Sequence, residues 1–160
     1  MKITRRLYKA RRRSGKTNYH KRLLLLQTSG YRFVVRKTNR YIILQIVESD
    51  RAQDKILYNI TTKEILKYGW PEKNKGALKS LSAGYLAGLL IGKKAINSGF
   101  KGRLILDSGL IQSTSGSRVY AAVKGLSEAG VKIPFDEKIM PKDETIKRYD
   151  FFNKVRDEIL

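Results

Sequence analysis

The stretch YRFVVRKTNRYIILQIVE, residues 31–48, sets the fold class. Tyr31–Lys37 and Tyr41–Glu48 are rich in β-branched and aromatic residues, and Thr38-Asn39-Arg40 between them suits a tight hairpin, with Asn39 tolerating a positive φ. Successive side chains alternate along a strand, so Ile42, Leu44 and Ile46 fall on one face of the second strand. On the first strand Arg32, Val34 and Arg36 share a face. The hairpin is therefore expected to bury one side and to show basic side chains to solvent or to a ligand on the other. Ser49–Asp54 reads as a turn-like linker and Lys55–Ile60 as a third strand, which makes an antiparallel meander.

Downstream the period changes from two to that of a helix. Thr61 and Thr62 with Glu64 resemble a helix start, giving a short helix towards Tyr68-Gly69-Trp70 that Pro71 stops, and a loop follows. From about Lys75 to Ser98, Leu78, Leu81, Tyr85, Leu89, Gly92 and Ile96 recur at helical spacing, with Gly99 placed as a C-terminal cap. Gly84, Gly88 and Gly92 stand four apart on this helix and form a smooth ridge suited to close packing. Arg103–Asp107 is a short strand, and the long helix before it predicts a crossover into a strand parallel to one of the meander. Ser117–Ala129 is a second helix capped by Gly130. Over Asp143–Leu160 a third, amphipathic helix carries Tyr149, Phe152, Val155 and Ile159 on one stripe, for docking on the domain or on another protein. The expected architecture is one α/β (α+β) domain, residues 29–142, with helices packed on a mixed sheet. An extended basic arm, residues 1–28, precedes it, and the amphipathic helix of residues 143–160 closes the chain.

The arm dominates the charge. Of 160 residues, 34 are Lys or Arg and 14 Asp or Glu, a formal net charge of +20. Residues 1–47 hold 14 of the cations and no acid. Such a block repels itself and gains little by packing on a core, so it reads as a solvated tail or as an arm for a polyanion. Tyr8, Tyr19 and His20 interleaved among the cations favour nucleic acid, because rings offer stacking beside phosphate-seeking guanidinium groups. A lipid surface would require a wide apolar face that residues 1–22 lack. The absence of cysteine excludes disulfides and thiolate chemistry. The most apolar stretch, Ala83–Gly92, is far shorter than the roughly 20 residues of a membrane span. The start Met1–Arg6 has no apolar run, so no signal peptide is expected.

Catalysis finds little support. Ala10–Thr17 resembles the end of a phosphate-binding P-loop, but Ala10 replaces the first glycine, three arginines fill the turn and no apolar strand precedes it. His20 is the only histidine and lies in the arm, so neither a histidine metal cluster nor a Ser-His-Asp triad can be assembled on rigid elements. Asp107 beside Gly109 reads as a turn or capping residue. Gly109–Ser117, rich in Gly, Ser and Thr, runs into a helix whose first turn holds Arg118. That cation opposes the helix dipole unless an anion is near, so Ser117 and Arg118 mark either a plain cap or a phosphate site. Tyr68 and Trp70 are either core aromatics or a stacking site beside Lys67, Lys73 and Lys75.

Several segments in order, GKTNYHKRLLLL (residues 15–26), RFVVRKTNRYIILQIV (32–47), KYGW (67–70), AGYLAGLLIGKKA (83–95), LILDSGL (104–110), GSRVYAAVKGLSEAG (116–130) and IPFDEKIMP (133–141), resemble the universal large-subunit ribosomal protein L-eighteen family in its archaeal-type form. The resemblance implies a non-catalytic protein of cytoplasmic ribosomes without cofactor or metal. Such a protein binds 5S ribosomal RNA and helps attach it to the large-subunit ribosomal RNA at the central protuberance, beside neighbouring large-subunit proteins. Carried over by position, Arg11, Arg12, Arg13, Lys16, Thr17, Tyr19, Lys21 and Arg22 would contact RNA, with Arg36, Thr38, Asn39, Ser117 and Arg118 as further candidates. Arg5 and Arg6 in the arm, and Tyr68 and Trp70, complete the candidate set. Phe135 and Tyr41 stand where many relatives have His. The competing reading is a general RNA- or DNA-binding, chaperone-like protein with no single target.

Overall fold

The computed structural model describes residues 7–28, 30–50 and 53–160. Arg5, Arg6 and Ser29 lie outside the described residues, as do Arg51 and Ala52 in the linker. Four strands, β1 (Tyr31–Lys37), β2 (Ile42–Asp50), β3 (Gln53–Thr61) and β4 (Ile105–Asp107), form one mixed sheet in the order β3-β2-β1-β4. The meander is antiparallel, with Phe33 opposite Ile46 and Val35 opposite Leu44. β4 lies parallel to β1, pairing Phe33 with Leu106. The linker read as Ser49–Asp54 is mostly strand, because Ser49 still pairs with Asp54 and Asp50 with Gln53. Thr38 closes the β1–β2 turn: its hydroxyl donates to the Tyr41 carbonyl at 2.8 Å and accepts from the Tyr41 N–H at 3.0 Å.

One sheet face supplies Phe33, Val35, Ile42, Leu44, Ile46 and Ile60 to the core. Above it lies the helix α3 (Leu81–Asn97), begun by Ser80, whose hydroxyl accepts from the Ala83 N–H at 3.2 Å. Every residue from Ser82 to Gly92 is buried, so this helix is enclosed on all sides rather than on a single stripe. The helix α4 (Arg118–Glu128) crosses it on the small residues. A Cβ added to Gly88 would sit 2.1 Å from the Ala122 carbonyl oxygen, and one added to Gly125 2.1 Å from that of Tyr85. Tyr85 also donates its hydroxyl to Glu128, which pairs with Arg156, so the helical layer is cross-tied by polar contacts as well as by packing.

Between β3 and α3 the chain makes two 3-10 helices, Thr62–Tyr68 and Glu72–Ala77, where a helix and a loop were expected, and the long helix expected from about Lys75 begins at Leu81. The capping box is present, with the Thr61 N–H bonded to Glu64 at 3.0 Å, and Gly69 ends the first turn at φ 79°. The single helix expected over 143–160 is interrupted: α5 (Asp143–Ile146) and α6 (Phe152–Ile159) flank a turn. The interruption lets Tyr149 and Phe151 stack at 5.1 Å and both meet Trp70 edge-on, at 5.7 and 4.9 Å. Phe152, Val155 and Ile159 are buried in the same core, so the apolar stripe is covered by the chain's own domain.

Candidate nucleic-acid interface

The arm is helical over much of its described length, not extended. Helix α1 (Ala10–Arg13) is followed by a turn with Gly15 at φ 65°, and helix α2 (Tyr19–Thr28) by β1. The run Leu23–Leu26 has high helix propensity, which explains why a segment so cationic still coils. No strand precedes α1 among the described residues, so Ala10–Thr17 lacks the strand-to-helix setting of a phosphate loop. Thr17 accepts a hydrogen bond from Arg11 Nε at 3.0 Å, and the Lys16 N–H bonds the Arg11 carbonyl at 2.9 Å, which folds this turn on itself.

The arm lies over the sheet face opposite α3. Lys21 Nζ donates to the Gly109 carbonyl at 3.2 Å and to Ser108 Oγ at 3.4 Å, and Arg22 pairs with Asp54 at 3.6 Å. Between arm and sheet is a cavity of about 710 Å³, whose lining includes Arg11, Lys16, Lys21, Leu25, Arg32, Val34, Arg36 and Asp107. The expectation that this face shows its basic side chains needs correction at Arg32, which is 3% exposed. Its guanidinium bonds Asp107 at 3.1 Å, Asp54 at 2.6 Å and Ser49 at 2.8 Å, since a buried cation persists only where acids and hydroxyls compensate it. Asp54 is partly desolvated, which opposes its ionisation, yet hydrogen bonds from Arg32 and Ser49 and the charges of Arg32 and Arg22 hold its carboxyl below the ordinary value. Arg36 points outward from the same network, half exposed, bonding Asp107 Oδ1 at 3.0 Å and the Asp107 carbonyl at 2.7 Å. Asp107 is also the turn residue expected, accepting from the Gly109 N–H at 2.8 Å.

Along the arm Lys9, Arg11, Arg12, Arg13 and Lys16 are exposed, and none has a carboxylate partner among the described residues. Lys9 sits over the Tyr19 ring at 5.2 Å and Arg12 over that of Tyr8 at 3.9 Å, so both rings already carry a cation. Asn39 is exposed at the hairpin tip. Ser117 caps α4 but its hydroxyl makes no cap bond, and Arg118 is partly exposed beside it. Trp70 is a core residue: 2% exposed, its indole N–H donating to the Asn74 carbonyl at 3.1 Å, it leaves no ring face for a base. Tyr68 is partly buried against the same core. Reading the sequence did not single out Lys37, Leu25 or Ile111, all of which line the arm cavity. The position of Lys37 at the end of a basic strand was the available signal. Among the described residues no helix is long and apolar enough to cross a membrane, and no cluster of potential metal ligands occurs.

Fold and arm together define an α/β protein that lays an acid-free cationic segment across the open face of its sheet. A family described as the ribosomal large subunit proteins 60S L5 and 50S L18 matches residues 5–102. The chain is 43% identical over 137 residues to large ribosomal subunit protein uL18 of Methanoculleus marisnigri, covering 86% of this chain and 75% of that protein. With the uL18 of Methanospirillum hungatei the identity is 44% over the same shares. With that of Korarchaeum cryptofilum it is 44%, covering 86% of this chain and 68% of the relative. The chain belongs to this family of large-subunit ribosomal proteins, in its archaeal-type form. Its role is accordingly structural rather than enzymatic: it is a ribosomal-RNA-binding component of the translation machinery, placed in the large subunit of cytoplasmic ribosomes.

Proposed function

We propose that the chain binds 5S ribosomal RNA and helps attach it to the large-subunit ribosomal RNA at the central protuberance. The observation that carries this reading is the row of five exposed arm cations that have no carboxylate partner among the described residues, fixed to the sheet by Lys21 and Arg22. Uncompensated cations release condensed counterions when they meet phosphate, a strong term that is blind to sequence. Pinning the row to a folded sheet gives it one shape, and shape is what distinguishes one RNA from another. Arg11, Arg12, Arg13, Lys16, Thr17, Tyr19, Lys21 and Arg22 form the main contact, continued through Arg5 and Arg6. Arg36, Thr38, Asn39, Ser117 and Arg118 extend it at the end of the sheet where the β1–β2 hairpin approaches the start of α4.

The test is binding of the purified protein to 5S ribosomal RNA over a salt series, with transfer RNA and a length-matched duplex as competitors. Selective binding that outlasts both competitors as salt rises is the expected result. Equal displacement by every polyanion would instead describe a general nucleic-acid binder.

A further inference from the structure

A second depression adjoins the arm cavity. It is a groove of about 530 Å³ between the β1–β2 hairpin and the start of α4, a size within the roughly 300–1,000 Å³ of small-molecule clefts. Its apolar walls are Val35, Ile42, Leu81, Ile111 and Val119. Lys37 and Arg118 stand at its edge, no acid lines it, and neither cation has a carboxylate partner among the described residues. Ser117 belongs to the lining, and its hydroxyl oxygen is buried without a hydrogen-bond partner among the described residues, a condition that costs free energy until something bonds it.

We propose that this groove receives one unstacked base of the bound 5S ribosomal RNA, with the phosphate of that nucleotide held between Lys37 and Arg118. The inference rests on the RNA-binding reading above and adds a second mode of contact to it. Aliphatic walls match the flat faces of a base, a polar base edge would satisfy Ser117 Oγ, and two uncompensated cations match the phosphate. Lys37 and Ile111 line both this groove and the arm cavity, so a strand following the arm reaches the groove without leaving the protein. An acidic, apolar segment of a neighbouring protein has similar chemistry. The continuity with the cationic arm favours RNA.

The experiment measures 5S ribosomal RNA binding over a salt series for wild type, Ile111→Ala and Arg118→Gln, with chemical probing of base accessibility in each complex. Ile111→Ala is expected to weaken binding about fivefold at every salt concentration with the slope unchanged, because an apolar contact releases no counterions. Arg118→Gln is expected to make the slope shallower by about one. Probing should find one base shielded in the wild-type complex and reactive in the Ile111→Ala complex. Arg118 makes no hydrogen bond through its side chain among the described residues, so its variant keeps the test decisive if Ile111→Ala folds poorly, which thermal melting will show. Wild-type affinity, slope and accessibility in the folded variants, while wild type still selects 5S ribosomal RNA, would overturn the groove assignment and leave the proposed function standing. Failure of wild type itself to select that RNA would remove both.

Discussion

The Arg32 guanidinium lies between two carboxylates, Asp107 and Asp54, and its side chain is 4% exposed. Removing Asp107, itself 8% exposed, leaves a buried cation with only half its compensation and takes the carboxylate from the Arg36 guanidinium, which keeps its bonds to the Val35 and Asp107 main-chain carbonyls. Breaking a buried pair on one side costs about 3 kcal/mol or more, whereas an exposed pair such as Glu72–Lys75, screened by solvent, contributes little. Asp107→Ala should therefore lower the melting temperature by roughly 10 °C, and Glu72→Ala should leave it nearly unchanged. Differential scanning calorimetry of the two variants decides the matter. Asp54 gives a pH dependence of known sign. Its folded value lies below the ordinary 3.8, so its contribution is present above that value and fades as pH falls through the lower folded one. Asp54→Asn should be less stable than wild type at neutral pH and should show a flatter loss of stability below about pH 4. Superimposable acid limbs would mean that the ion pairs carry no net stabilisation.

At the scale of elements, the contact between α3 and α4 is made by backbone rather than by long side chains. The four-residue glycine spacing on α3 was legible as a packing ridge, because its period matches the helix. Gly125 was not, since a lone glycine in a helix says nothing about what approaches it. With Cβ atoms placed 2.1 Å from carbonyl oxygens, Gly88→Ala and Gly125→Ala must push two helices apart. The cost should reach the upper end of the roughly 1–3 kcal/mol of overpacking. Gly76→Ala is the control, with nothing within 4 Å of its added Cβ, and urea midpoints should separate the three variants cleanly. Three strands of the meander and both long helices could be read from alternation, caps and periodicity. The break in the C-terminal helix could not, because Trp70 lies 79 residues before Tyr149 and only the folded chain brings the rings within 5.7 Å. The same packing decides between the two readings of Trp70.

Across the whole molecule the charge is polarised about the sheet. The arm, without an acid, covers one face, while α3 covers the other and α6 packs on α3. Residues 128–160 hold eight of the fourteen acids. The location of the cationic segment was plain from sequence, since charge runs need no tertiary information. Its helical form and its ties to Ser108, Gly109 and Asp54 were hidden, because each tie joins residues more than 30 positions apart. If the arm neutralises phosphates directly, replacing Arg11, Arg12 and Arg13 together with Gln should remove about three contacts. At roughly 0.7–0.9 per phosphate, the slope of log affinity against log salt should then become shallower by about 2–3. A variant with Lys63, Lys147 and Lys154 changed to Gln loses the same net charge at exposed positions away from the arm, on the 3-10 helix after β3, just after α5 and on α6. It should retain nearly the wild-type slope, because exposed charges beyond about one Debye length of the RNA are screened. Equal changes in slope for the two triple variants would show that net charge, not the placement of the arm, governs binding. A difference confined to the arginine variant would locate the phosphate contacts on α1.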